Sequence, residues 1–311
     1  MKLFIRAVAF FFIPIVLFTV GMETYLRTMD TDYQQKLNGL IQNYDKVEIL
    51  VLGNSHAYNG IDPNQFNVPT YNMAASNQSL YFDKRITLKH INHLKNLKYV
   101  LINVDFHSLY FSSQGIRDTW LYYDYDIKYK EKNELLSDFS HFWFGYTPKI
   151  SLSIIKDNII ESYTDSKTRS DYVIKGWMPR YGRNKNSFSN SKLKDKGKWF
   201  NGQVERSSER EENIMDLNDF VKQLKNRNIT PILYTSPMYK DLYKYLNKDY
   251  VIKNSLDIKS ITKKNNIEYW DFSDNNYDKN LFYNMDHLNR KGAVIFSREL
   301  NKLFNNIYVD D

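Results

Sequence analysis

The chain contains no cysteine. That absence excludes disulfides, thiolate metal centres and a cysteine nucleophile, and it suits an oxidising compartment. No Gly/Ser-rich or Pro-rich linker and no internal repeat divides the 311 residues. No P-loop or dinucleotide glycine fingerprint occurs, so no cofactor is expected. Acidic residues are outnumbered, 36 against 43 Lys and Arg, for a net charge of +7. The excess is local. Residues 175–198 hold eight basic side chains (Lys175, Arg180, Arg183, Lys185, Lys192, Lys194, Lys196, Lys198) against the single acid Asp195. The rest of the chain is close to neutral. Such a stretch is either a solvated lysine-rich face or a contact for an anionic neighbour, such as lipid headgroups or an acidic glycan.

Charge is also missing from residues 7–22, AVAFFFIPIVLFTVGM, which follow Lys2 and Arg6. With residues 3–5 the run approaches the ~20 residues needed to span a bilayer. Thr19-Val20-Gly21-Met22 is a poor cleavage site, and the run is apolar on every face, unlike a soluble core helix. An uncleaved anchor over residues 1–28 is therefore expected. Positive charge before it and mixed charge after it place the amino end in the cytoplasm and the body, residues 29–311, outside. That location leaves little room for nucleic acid as a partner. Membrane lipid is the partner of the anchor itself.

Beyond the anchor, mean hydropathy falls to that of a water-soluble body, −0.59 over the whole chain. Short β-branched apolar runs at 46–52, 99–104, 230–235 and 267–271 read as buried strands. Helical patterns follow at 80–97, at 242–264 and at 290–304. Another begins at a capping box, Ser208 with Glu211, and continues through Ile214, Leu217, Val221 and Leu224. Alternation of this kind implies a three-layer α/β fold with a mostly parallel sheet. Ligands in such folds bind beyond the carboxyl ends of the strands. Residues 106–205 interrupt the alternation and read as an insertion beside the active-site rim. Its first part, 106–146, carries thirteen aromatics, including Trp120, Trp143 and the cluster Tyr122, Tyr123 and Tyr125. These either fill a core or stack on sugar rings.

The first strand runs into Gly53-Asn54-Ser55-His56. A serine on a tight strand-to-helix turn stands clear of the sheet, with its own N–H free for an oxyanion. Asn284-Met285-Asp286-His287-Leu288-Asn289 precedes the last helix, where an imidazole can cross the sheet edge to meet Ser55. Hydroxyl, imidazole and acid in strand-end loops are the parts of a nucleophilic triad. The bland reading is that Ser55 and His287 merely cap their helices. His56 reads as a packing residue, as do His107 and His141. His90 and His93 have a metal-like i, i+3 spacing but no evident third ligand, so no metal site is expected.

Gly53-Asn54-Ser55-His56, residues 72–79 (NMAASNQS) and Asp286-His287-Leu288-Asn289 with Gly292 resemble three blocks of the SGNH/GDSL hydrolase superfamily. They are most similar to its membrane-anchored bacterial members linked to acyl modification of surface polymers. The resemblance implies a flavodoxin-like sheet, Ser55 as nucleophile and oxyanion donor, and His287 as base. Three departures stand out. The family's aspartate, three residues before the histidine, is Asn284 here, while Asp286 lies next to His287. Asparagine can orient an imidazole but cannot balance its charge, and at a serine-protease triad that exchange costs about 10⁴ in turnover. Asp286 is therefore the preferred partner of His287, with Asn284 the alternative. The second block has Ala75, Ser76 and Asn77 where a glycine N–H is usual. The third block is represented only by Asn103-Val104-Asp105. Asn77 and Asn103 are the further oxyanion candidates.

These readings converge on a membrane-anchored, extracytoplasmic serine esterase or O-acyltransferase. Its substrate would be an acylated cell-surface glycan, with a membrane-bound acyl donor protein as a further partner. The alternative is a catalytically inactive SGNH-fold module that binds a glycan or a protein.

Overall fold

The computed structural model describes residues 1–111, 118–128 and 175–309. In chain order its elements are α1 (Lys2–Thr28), α2 (Asp32–Ile41), β1 (Ile49–Leu52), α3 (Ser55–Gly60), β2 (Thr70–Asn72), α4 (Leu80–His90), β3 (Tyr99–Asn103) and α5 (Asp118–Tyr123). They continue with α6 (Asn190–Glu205), α7 (Arg210–Lys225), β4 (Thr230–Thr235), α8 (Lys240–Tyr243), α9 (Lys248–Asn265), β5 (Tyr269–Asp271) and α10 (Arg290–Tyr308). Contacts divide the chain into two units, Met1–Gln34 with Gly115–Asp171 and Gln35–Gln114 with Tyr172–Asp311.

In the first unit, α1 runs unbroken through Pro14. Phe10, Phe11, Leu17 and the other large apolar side chains of residues 3–20 stand exposed. A helix this long and apolar can cross a membrane. Its last turn is different. Leu26 is buried with Met29 and with Tyr123 of α5. The Tyr123 hydroxyl donates to Glu23 at 2.9 Å, and the Arg27 guanidinium lies over the rings of Tyr122 and Tyr123. The described part of the aromatic segment therefore fills a small core. Trp143 and His141 fall outside the described residues.

The second unit is built on five parallel strands in the order β2-β1-β3-β4-β5. This is the doubly wound flavodoxin-like order, whose switch point lies between β1 and β3. Ile49, Val51, Leu101, Ile232 and Tyr234 pack with Phe296, Leu300 and Phe304 of α10. Side chains alternate along a strand, so Leu50, Leu52, Val100, Ile102 and Leu233 point the other way, toward the layer where α4, α7 and α9 contact one another. Burial on both faces is why β1 is apolar at every position and the middles of β3 and β4 are too.

Several expectations need correction. Strand β2 was not foreseen: three residues, Thr70-Tyr71-Asn72, carry too little apolar pattern. The helix expected over 80–97 ends at His90, because Ile91, Leu94 and Leu97 remain buried in the turns that follow and so mimic a helical stripe. The helix expected over 242–264 is two, α8 and α9. The Ser208–Glu211 capping box does not form. Glu209 precedes α7 without a side-chain cap, and the Ser207 hydroxyl accepts from the Glu209 N–H at 3.2 Å instead.

Candidate active site

The site sits at the switch point, beyond the carboxyl ends of β1 and β3. Leu52 pairs with Ile102, which sets Gly53 beside Asn103. Gly53 has φ +132°, and a Cβ there would collide with the Asn103 side chain. Only glycine fits this turn. Asn54 then caps α3, its side-chain oxygen accepting from the His56 N–H at 2.8 Å. Ser55 is the first residue of α3, where a backbone N–H has no intrahelical partner. From below, Asp83 of α4 accepts from Gly53 N–H at 3.1 Å and from the Gln78 amide at 2.6 Å. Burial pushes the Asp83 carboxyl up to about 7.

His287 approaches from the loop before α10, and its Nε2 lies 2.8 Å from Ser55 Oγ. Its Nδ1 is 3.1 Å from Asn284 Oδ1 and 3.2 Å from Asp286 Oδ1. Both neighbours of Nδ1 are acceptors, so Nδ1 carries the proton and Nε2 is left to accept from the serine hydroxyl. The two oxygens differ in role. Asn284 Oδ1 makes the aligned hydrogen bond, and it also accepts from the N–H groups of Asp286 and His287 at 3.2 and 2.8 Å, which fixes the loop. Asp286 contributes charge. Burial alone would raise the Asp286 carboxyl, but His287, Lys196 and His56 outweigh it and hold the group well below the usual carboxylate range. Burial lowers the His287 imidazole. Asp286 opposes this, His56 and Lys196 add to it, and the result stays below the ordinary value. A neutral imidazole on a serine hydroxyl is what a general base requires.

Beneath this pair lies a second histidine that sequence reasoning took as packing. His56 Nδ1 is 2.6 Å from Asp105 Oδ2, with both side chains buried. Asp105 also accepts from Asn54 Nδ2 at 2.9 Å, from Asn103 Nδ2 at 3.0 Å and from the Ser236 N–H at 3.0 Å. Burial lowers a histidine, but Asp105 outweighs it and raises His56 above its ordinary value. The His56 and His287 rings meet edge to face at 5.1 Å. Asn103 is thereby placed away from the role expected of it. Its amide protons go to Asp105 and Ser236 Oγ, both at 3.0 Å. Asn77 sits in the turn before α4 with φ +59° and is exposed. The Ala75 N–H is occupied by Gly53 O at 3.1 Å.

Lys196 of α6 was also missed. Its Nζ lies 2.8 Å from Asp286 Oδ2 and within 4.7 Å of the ring centres of Trp199 and Phe200. The signal was present but ambiguous: one lysine among eight in a basic stretch. His107 is buried against Phe111 and Phe200. The Tyr44 hydroxyl lies 2.6 Å from His90 Nδ1, and the Tyr44 ring stacks on His93. One atom each of His56, Asp286 and His287 lie within 4.8 Å of one another. Each of the three side chains already has a partner of its own: His287 engages Ser55, Asp286 engages Lys196 and His56 engages Asp105.

The DltD protein family matches residues 183–305 of this chain, a stretch that contains His287 and leaves out Ser55. No curated protein matches at a significant level. Among solved structures, the chain is similar to a protein assigned as an acylhydrolase from Bacteroides fragilis NCTC 9343. The two share 11% identity over 90% of this chain and 99% of the other, with a TM-score of 0.44. It is also similar to a protein assigned as a lipolytic member of the G-D-S-L family from Desulfitobacterium hafniense DCB-2. Here identity is 12% over 81% of this chain and 96% of the other, with a TM-score of 0.39. The mostly parallel α/β fold expected from the sequence is borne out, and the family match over residues 183–305 agrees with the resemblance of the last block.

Proposed function

We propose that this SGNH-type chain is a serine-dependent acyl-transfer enzyme, an esterase or O-acyltransferase held at a membrane by α1 and acting on acyl groups of a carbohydrate outside the cytoplasm. The observation that carries the reading is the 2.8 Å contact of Ser55 Oγ with His287 Nε2 at the switch point of the sheet. Ser55 Oγ attacks the acyl carbonyl while His287 Nε2 takes its proton. The Ser55 N–H, which has no intrahelical partner at the start of α3, is the donor offered to the oxyanion that develops. Collapse breaks the ester bond, and the leaving alkoxide departs with the proton from His287. Water or a sugar hydroxyl then gives its proton to His287 and takes the acyl group from Ser55. Asp286 steadies the imidazolium in each half, and Asn284 keeps its ring in register.

The carbohydrate acceptor is supported by the resemblance to acyl-modifying surface enzymes. An external location is supported by Lys2 and Arg6 ahead of the apolar run. A membrane-bound acyl donor is the partner that transfer would require. A second reading, an inactive glycan- or protein-binding module, is favoured by one observation: Asn284 stands where a triad carboxylate is usual. A fluorophosphonate probe separates the two. The enzyme reading expects labelling of the wild type and none of Ser55→Ala, and equal signals from both would remove it. A reporter fused after Asp311 should be active only outside the cytoplasm.

A further inference from the structure

Two buried charges sit beneath the nucleophile turn, and the acyl-transfer steps use neither. Asp83 of α4 and Lys36 of α2 are each 1% exposed. Lys36 Nζ donates to Ala74 O and lies 4.2 Å from the centre of the Tyr58 ring, on the helix that Ser55 begins. Asp83 Oδ1 takes the Gly53 N–H at 3.1 Å and the Gln78 amide at 2.6 Å. The same Gln78 nitrogen donates to Met73 O at 3.1 Å, and the Gln78 N–H closes its turn onto Ala75 O at 3.1 Å. Asp83 thereby joins two segments, the turn that carries Ser55 and the turn at 75–78. What this does to Ser55 follows from Gly53, two residues before it. Glycine has the widest backbone freedom of any residue. Here the peptides on both sides of it are pinned. The one before gives its N–H to Asp83, and the one after accepts from the Ala75 N–H at 3.1 Å through Gly53 O. With a pin lost, Gly53 can rotate and carry Ser55 Oγ away from His287 Nε2. A misplacement of about 1 Å between reacting atoms costs on the order of 10²-fold in rate.

We propose that Asp83 is a positioning residue for Ser55: by holding the Gly53 N–H and the Gln78 amide on one oxygen, it keeps the nucleophile turn in the register that sets Ser55 against His287. Its effect on turnover rests on the acyl-transfer reading, whereas its grip on Gly53 does not. Stability alone would not select an acid at this place. Asp83 Oδ2 and Gln78 Oε1 are both buried without a donor among the described residues, and a neutral amide loses less than a carboxylate on leaving water. What the carboxylate adds is strength, because an ionised acceptor holds an N–H more tightly than a neutral one. Burial raises the Asp83 carboxyl to about 7, against the Gln78 and Gly53 hydrogen bonds and Lys36, which lower it. Tyr234 of β4 is the other titratable group that feels its charge. The brace is therefore tight when Asp83 is ionised, above that value, and slack when it is protonated, below it.

The test follows a small acyl ester with the full-length chain in neutral detergent, and expresses kcat per Ser55 labelled by a fluorophosphonate. As pH is lowered, wild-type kcat should fall in two steps, an upper one near 7 from Asp83 and a lower one from His287. Asp83→Asn keeps the shape and loses the charge. The upper step should vanish, and alkaline kcat should drop about tenfold with KM changed less than about twofold. Gln78→Leu removes a hydrogen bond that lowers Asp83, so it should move the upper step to higher pH. A second readout needs no turnover. Leu52-Gly53 is the one Leu-Gly step in the sequence, so carbon-13 leucine with nitrogen-15 glycine singles out the Gly53 amide by NMR. Its proton should move upfield as pH falls through the upper step in the wild type and stay fixed in Asp83→Asn. A single acid limb in the wild type, or a wild-type profile in Asp83→Asn, overturns the proposal. So does a Gly53 proton indifferent to pH in this range. A merely structural Asp83 would give less folded protein with kcat per labelled serine unchanged at every pH. If the wild type takes no fluorophosphonate, the acyl-transfer reading fails, and the Gly53 signal still decides whether Asp83 holds the turn.

Discussion

Two histidines meet edge to face at the Ser55 turn, and their surroundings push them in opposite directions. His56 is raised above its ordinary value and His287 is lowered, although each stands beside a buried carboxylate. The difference lies in what else the carboxylate touches. Besides His56, the groups hydrogen-bonded to Asp105 are neutral donors, Asn54, Asn103 and the Ser236 N–H, so its charge is not neutralised by a paired lysine or arginine. Asp286 is shared with Lys196, and His287 also feels the neighbouring His56. Distance and shared charge therefore act together: His56 lies 2.6 Å from an acid with no cation paired to it, and His287 lies 3.2 Å from one that Lys196 partly neutralises. Asp105 biases His56 toward its protonated form, whereas His287 is biased toward the neutral form that accepts the serine proton.

The sharpest way to break this comparison is to remove the reacting groups. Ser55→Ala and His287→Ala should each cut turnover of a small acyl ester by about 10⁴-fold or more, with the circular dichroism spectrum unchanged. An active His287→Ala would transfer the role of base to His56 and overturn the assignment of the two rings.

The next effect falls on stability. His56→Gln leaves Asp105 buried and uncompensated, and should cost about 3–5 kcal/mol in denaturant unfolding. The loss should depend on pH. His56 is raised in the folded state, so its contribution is fully present below its ordinary 6.5 and fades as pH climbs through the raised value. Asp105 is depressed, so its contribution is present above the usual carboxylate value of 3.8 and fades as pH falls. The penalty of His56→Gln should peak between those limits, near pH 5 to 6. A penalty that does not vary with pH would mean that the pair is neutral.

A smaller effect separates the two oxygens at Nδ1. Asp286→Asn removes charge but keeps shape, and should lower kcat about 10²-fold. Asn284→Ala loosens the loop and should lower kcat less at low temperature than at high. Asn284→Asp puts a carboxylate in the aligned position and should restore much of the activity lost in Asp286→Asn. Failure of that rescue would leave Asp286 with a role that position alone does not explain.

How much of this was legible beforehand follows from sequence distance. Gly53 to Ser55 is a local motif set by one strand and one turn, and His287 is marked by the helix that follows it, so both could be read and paired. The His56–Asp105 pair spans 49 residues and joins two loops that are neighbours only because β1 and β3 are. Asp105 was noticed within Asn103-Val104-Asp105, and His56 was set aside, because neither residue alone signals a buried ion pair. Asn103 was misplaced for a related reason. A strand-end asparagine can face either the substrate or the interior, and here the interior holds an acid needing donors. Strand β2 escaped because strand signals scale with length, and three residues carry almost none.

Lys196 is the least legible residue of the site and gives the finest test. Its neighbours in sequence are exposed lysines, but burial of Leu193 and Gly197 on α6 brings its ammonium over Trp199 and Phe200 and onto Asp286. Lys196→Met keeps the stem and deletes the charge. The groups then left facing His287 are Asp286, His56 and the uncharged Asn284 and Ser55. With its cation gone, Asp286 stabilises the imidazolium more strongly, so the His287 pKa should rise. A base must be neutral to act, so the acid limb of the kcat/KM profile should move to higher pH by the same amount, while the alkaline plateau changes little. Lys196→Arg should return the limb toward the wild-type position. A histidine ring-proton titration by NMR reads the shift directly, whatever the turnover. If Lys196 only fastens α6 to the loop, Lys196→Met will lower kcat/KM at every pH and leave the His287 midpoint where it was. That result would restrict the opposition between the two histidines to burial and the neighbouring ring alone.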